Sequence, residues 1–137
     1  MPLNIAIRSI LLITTVSIFG CSRGDGIPRT KVRGEVSHMG QPVVDGQIRF
    51  QPAQQTTAPM TIVLIKDGRY QCAIGGGVPA GTHRVKIFSF DPNVPPPQGP
   101  MDPVQPQLLP KKYNHDSELV WTLQQQRAWL TKDWDLQ

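Results

Sequence analysis

A chain of 137 residues, 39% hydrophobic and 18% charged, is long enough for one modest domain and leaves little room for a second. Its 14 prolines and 12 glycines are too many for a helical bundle and too few for a low-complexity chain, which points to a β-rich domain with many turns. The formal charge of +4 is carried by scattered lysines and arginines with no run or helical stripe, so nucleic acid is not expected as a partner.

The first element is an apolar run over residues 9–20, preceded by Arg8. A helix that crosses hydrocarbon needs about 20 apolar residues, and this run is too short for that. A basic start, an apolar stretch of about 7–15 residues and a small residue at its end is the layout of a secretory signal. Ile18-Phe19-Gly20-Cys21 then resembles a bacterial lipobox, with an aliphatic residue, a small residue and a cysteine in the expected order. Phe19 is bulkier than the residue usual at its place. The resemblance implies that residues 1–20 are a lipoprotein signal peptide and that cleavage falls before Cys21. It further implies that Cys21 carries a covalent diacylglycerol and a palmitate-type N-acyl chain, with no other cofactor. Each buried methylene contributes about 0.8 kcal/mol, so one acyl chain binds reversibly while two or three hold firmly. Ser22, in place of an acidic residue, resembles lipoproteins sorted to the outer membrane. The expected location is therefore the bacterial cell envelope, with the membrane as a partner through the lipid. The alternatives are an ordinary secretory signal with a coincidental cysteine, or an uncleaved anchor.

Residues 21–30 are polar and read as a tether, and residues 31–137 as the folded domain. Within it, short apolar alternations cut by turn residues predict an all-β sandwich or barrel. "KVRGEVSH" (31–38) places Val32, Gly34 and Val36 on one face of a first strand. Turn residues Gly40, Pro42 and Asp45-Gly46 follow. "QIRFQP" (47–52) turns Ile48 and Phe50 inward and Arg49 outward. "MTIVLIK" (60–66) is dense enough for a strand covered on both faces. Asp67-Gly68 predicts a hairpin turn into "RYQCAI", where Tyr70, Cys72 and Ile74 share a face. That phase makes Cys72 a core residue instead of a reactive thiol. "GGGVPAG" (75–81) reads as a loop, and "THRVKIFSF" (82–90) as a strand with Val85 and Ile87 in phase. Eight of the 14 prolines fall in 91–110, which is expected to be an extended surface loop. Residues 118–124 and 134–136 read as the last strands, with 123–130 looping between them. About seven strands result.

The order of these pieces resembles the carboxypeptidase regulatory-like, transthyretin-like (prealbumin-like) domains of small bacterial lipoproteins. The residues that carry the resemblance are Gly34–Val36, Gly40–Gly46, Ile48–Pro52, Asp67–Tyr70, Pro79–Gly81, Leu109–Tyr113 and Leu136. They span nearly all of 30–137. Two departures stand out: Ile65-Lys66 where the family often has Thr-Asp, and His83 where an aromatic is common. The resemblance implies a seven-stranded, Ig-like β-sandwich and does not imply catalysis.

Few residues point to chemistry. His38, His83 and His115 are far apart in sequence, with no carboxylate or cysteine at ligand spacing, so no metal is expected. No nucleophile elbow, His-Glu-x-x-His or phosphate loop is present. The transthyretin-like fold includes a 5-hydroxyisourate hydrolase, a more distant alternative. That enzyme uses a carboxy-terminal Tyr-Arg-Gly-Ser, whereas this chain ends in "KDWDLQ". The expectation is thus a non-catalytic, lipid-anchored binding or structural module with an envelope protein or glycan as partner. A carbohydrate-binding module is the main alternative, because Trp121, Trp129 and Trp134 lie close together in sequence. Trp121 is expected in the core and Trp129 on the surface as a ligand contact. Lys111 and Lys112 form a basic pair that either meets a ligand or is solvated beside inward-facing Leu109 and Tyr113.

Overall fold

Period-two burial organises the chain. In a computed structural model that describes residues 24–53 and 57–137, strand β2 (Val32–His38) buries Val32 and Val36 and exposes Arg33 and Glu35. Strand β4 (Asp45–Pro52) buries Ile48 and Phe50, and β8 (Gly81–Ser89) buries His83, Val85 and Ile87. Strands β5 (Thr61–Lys66), β6 (Arg69–Cys72), β9 (Val120–Leu123) and β11 (Trp134–Leu136) complete the framework. Four two-residue strands are added: β1 (Arg29–Thr30), β3 (Gln41–Pro42), β7 (Val78–Pro79) and β10 (Leu130–Thr131). Expectations that rest on residues 1–23, including the signal segment and Cys21, lie outside the described residues. Among the described residues, no helix is long and apolar enough to cross a membrane.

The protein is an all-β sandwich. One layer runs β5-β4-β8-β9, and the other holds β6-β2 with β10 and β11 along the far side of β2. The layers share a corner at the β5–β6 hairpin, where only Ile65↔Tyr70 and Lys66↔Arg69 pair. The turn there is Asp67-Gly68, both at positive φ (49° and 75°), the mirror-image turn whose twist suits a hairpin. Beyond it, β6 leaves β5 and pairs with β2 from Val32↔Cys72 to Glu35↔Arg69. Apolar side chains from both layers meet between them: Ile48, Phe50, Val63, Ile65, Val85, Ile87 and Leu123 against Val32, Val36, Tyr70, Trp134 and Leu136. At the far ends of the two layers, Trp121 of β9 meets Trp134 of β11 edge to face at 6.2 Å.

Several sequence expectations change. Strand β5 is covered on one face only: Ile62 and Leu64 are about half exposed while Val63 and Ile65 are buried. An apolar run reads alike whether one face or both are covered, so the pattern overstated its burial. Strand β6 stops at Cys72, and Ile74 sits 93% exposed in a short 3₁₀ turn over Ile74–Gly76. Three glycines in a row release the chain from the strand's phase at that point. The stretch read as a 75–81 loop contains β7, which pairs with β1, so the sandwich begins at Arg29 inside the expected tether. The Pro-rich 91–110 stretch is a surface loop with one isolated bridge, Phe90↔Gln107, before Leu109 becomes buried. Strands β10 and β11 run parallel to β2, with Leu130↔Val32 and Trp134↔Val36 in register.

Candidate functional site

Parallel return of the carboxy-terminal segment to β2 brings together residues that the sequence keeps far apart. Thr30, fully buried, donates its hydroxyl to the Gln124 carbonyl at 2.7 Å and accepts from the Gln126 amide at 3.2 Å. These bonds fasten the loop after β9 to the point where the amino-terminal segment enters the fold. Gly77 packs against the same place: a Cβ there would lie 2.1 Å from the Thr30 carbonyl oxygen, which excludes any side chain. Between these segments lies an open cavity of about 500 Å³ lined by Arg29, Lys31, Gly76, Gln125, Gln126 and Arg127.

Trp129 lies beside Lys31, one of the lining residues. It is half-buried, where the sequence reading expected it exposed, because Lys31 and Arg33 lie over it. The Lys31 ammonium is 5.9 Å and the Arg33 guanidinium 5.6 Å from the ring centroid. The Leu130 amide donates to the Lys31 carbonyl at 2.8 Å, and Arg33 Nε donates to Thr131 Oγ1 at 3.4 Å, so strand pairing sets this geometry. Arg29 is paired with Asp25 at 2.5 Å, and its guanidinium holds the Asp25 carboxyl below the usual carboxylate range. Among the described residues, Lys31, Arg33 and Arg127 have no carboxylate partner. The result is a cationic surface that includes an aromatic ring under two of its cations. Sequence reasoning missed it, since Arg33 and Thr131 are 98 residues apart.

The other residues singled out by sequence do not converge. Lys111 and Lys112 are exposed in a 3₁₀ turn, with Leu109 and Tyr113 buried on either side of them. Lys112 lies 4.9 Å from the Tyr113 ring, and the buried Asn114 amide donates to the carbonyls of Leu109 and Pro110 at 3.3 and 3.2 Å. Trp121 is half-buried against the core, as its strand phase predicts. Cys72 is half-buried beside the core, and burial pushes its thiol up, which leaves little thiolate. Each histidine meets a different aromatic: His38 packs on Tyr113, His83 on Phe50 and His115 on Phe88. Among the described residues no three His, Cys, Asp or Glu groups gather as metal ligands would. A second cavity, about 480 Å³, lies under the Pro-rich loop and is mainly apolar, with Leu64, Phe90, Val94 and Val104 in its wall.

His83 carries a pH dependence. Its Nε2–H donates to the Pro79 carbonyl at 2.8 Å, while Nδ1 is buried with no partner among the described residues. Burial lowers its pKa below the ordinary 6.5, because a charged ring there would lose its hydration. Between the lowered folded value and the ordinary unfolded one, the unfolded chain binds more protons. The stabilising contribution is therefore complete above about pH 6.5 and declines as pH falls toward the folded value. Chemical denaturation at pH 7 and pH 5 should show this decline, and His83→Gln should flatten it. An unchanged slope in that variant would contradict the assignment.

Comparison of this chain with family models, with curated proteins and with solved structures finds no match.

Proposed function

We propose that this protein is a lipid-anchored module of the bacterial cell envelope, attached through Cys21 and acting by binding or as a structural element, not by catalysis. The observation that carries the reading is the sequence Ile18-Phe19-Gly20-Cys21, which closes an apolar run and precedes a sandwich beginning at Arg29. Seven residues lie between the cysteine and the first strand, enough to hold the domain near a membrane without burying it. The sandwich architecture and the order of its motifs support kinship with carboxypeptidase regulatory-like, transthyretin-like domains. The binding reading is preferred to catalysis because each histidine is committed to a different aromatic contact and the half-buried thiol is held protonated.

A glycan ligand is the second reading. Gln125 and Gln126 in the open cavity, with Trp129 close by in sequence, favour it, since indole and amides are common sugar contacts. Against it stands the position of Lys31 and Arg33, which occupy the ring surface that a sugar would stack on. The anchor reading is tested by detergent-phase partitioning and intact mass of the protein expressed in a bacterial host. The parent is expected in the detergent phase and to carry the mass of an attached lipid that Cys21→Ala lacks. A parent without that added mass would overturn the reading.

A further inference from the structure

We infer that the surface formed by Lys31, Arg33, Arg127 and Trp129 rests on a bilayer and selects anionic phospholipid. The inference deepens the lipid-anchor reading and takes its orientation from it. Three observations point the same way.

The first is position. Arg29, where the amino-terminal segment enters the sandwich, lines the same cavity as Lys31 and Arg127. Fully extended chain from Cys21 to Arg29 reaches at most about 30 Å, so this end of the domain is the one an anchor at Cys21 would hold closest to the membrane.

The second is the run of charge along the paired strands. Lys31 and Arg33 occupy the beginning of β2, with Arg127 just ahead of β10. Farther along the same pair come Glu35, Asp133 and Asp135. Glu35 meets Arg69 at 3.4 Å, Asp133 accepts the Glu35 amide, and Asp135 accepts the Ser37 hydroxyl. Arg69 and Lys132, the latter over Trp134, stand among those three acids, which leaves that end net acidic. The tether end is cationic. Near an anionic surface this polarity turns the domain so that the cations without carboxylate partners face inward.

The third is composition. Lysine and arginine held over a half-buried indole suit the headgroup layer, where the cations meet phosphate and the ring supports their apolar stems. The same arrangement suits sugar stacking poorly, because cations already cover the ring.

The test compares vesicles of phosphatidylcholine with vesicles that also contain phosphatidylglycerol. It uses the full chain carrying Cys21→Ala, so that no acyl chain contributes. Any apolar segment left in that chain meets both kinds of vesicle alike, and differences between variants isolate the patch. The Cys21→Ala protein should sediment with the anionic vesicles more strongly than with the neutral ones, and added salt should remove the preference. Lys31→Glu, Arg33→Glu and Arg127→Glu together should weaken binding to the anionic vesicles at least about a hundredfold, since each basic residue at such a surface contributes roughly fivefold. Arg127 is exposed and pairs with no carboxylate among the described residues, so its substitution leaves the packing intact. Arg127→Glu alone should lose roughly fivefold or more, and it guards against misfolding of the triple variant.

Equal binding to both vesicles, or a preference that survives the triple substitution, would overturn the proposal. So would binding to an acidic polysaccharide such as polygalacturonate with no preference between the vesicles. Failure of the anchor itself is read separately, from the lipid mass of the parent against Cys21→Ala, and leaves the vesicle comparison valid.

Discussion

Gly34→Ala is expected to cost about 3–5 kcal/mol and to leave little folded protein if the parent is of ordinary stability. A Cβ on Gly34 would stand 1.9 Å from the Lys132 carbonyl oxygen and 2.9 Å from a Tyr70 ring carbon. Rotation of a side chain cannot relieve the first contact, because the obstacle is backbone. That carbonyl is also held in place: it accepts the Tyr70 hydroxyl at 2.7 Å, and the Lys132 amide donates to the Arg33 carbonyl at 2.9 Å. Accommodating one methyl group therefore means separating β10 and β11 from β2 and exposing Trp134. Urea denaturation is the appropriate measurement, with the midpoint falling and the slope unchanged. A loss below about 1 kcal/mol would mean that the carboxy-terminal segment does not lie against β2. The cationic surface would then lose its geometry as well.

The second large effect is expected at Phe50. It is fully buried and touches both layers, with ring centroids 6.3 Å from Tyr70, 6.3 Å from His83 and 6.0 Å from Trp121. Truncation to alanine removes those contacts and leaves a void that three rings held by strands cannot fill. A cost of about 3–5 kcal/mol follows. The informative control is Leu64→Ala on the outer face of β5, where the side chain is 60% exposed and the cost should stay within about 0.5 kcal/mol. Comparable losses at the two sites would mean that something covers the outer face of β5 and that the two layers are not the whole core.

The inner faces of the sandwich were legible because alternation records burial directly. Val32 and Val36, Ile48 and Phe50, and Val85 and Ile87 are buried where their phase places them. Asp67-Gly68 was legible for a different reason: few residue pairs accept two successive positive φ values. Other features depend on partners that a local pattern does not contain. The run 60–66 records hydrophobicity but not which face finds a neighbour, so Ile62 and Leu64 were misplaced. The parallel pairing of β10 and β11 with β2 joins segments from opposite ends of the domain, and nothing within either segment encodes it. The cationic surface inherits this difficulty. Lys31 and Arg33 read as isolated charges until Arg127 and Trp129 are brought beside them. Trp129 itself was expected exposed, because a sequence cannot show that two long cationic side chains will cover a ring.

The central claim is that Cys21 is the lipidated first residue of the mature protein, and intact mass spectrometry of the protein purified from a bacterial host tests it most directly. The expected species is a chain that begins at Cys21 and exceeds its polypeptide mass by a diacylglycerol and an N-acyl chain, with the added mass absent from Cys21→Ala. A mature chain of bare polypeptide mass, or an intact amino-terminal segment in both proteins, would contradict it.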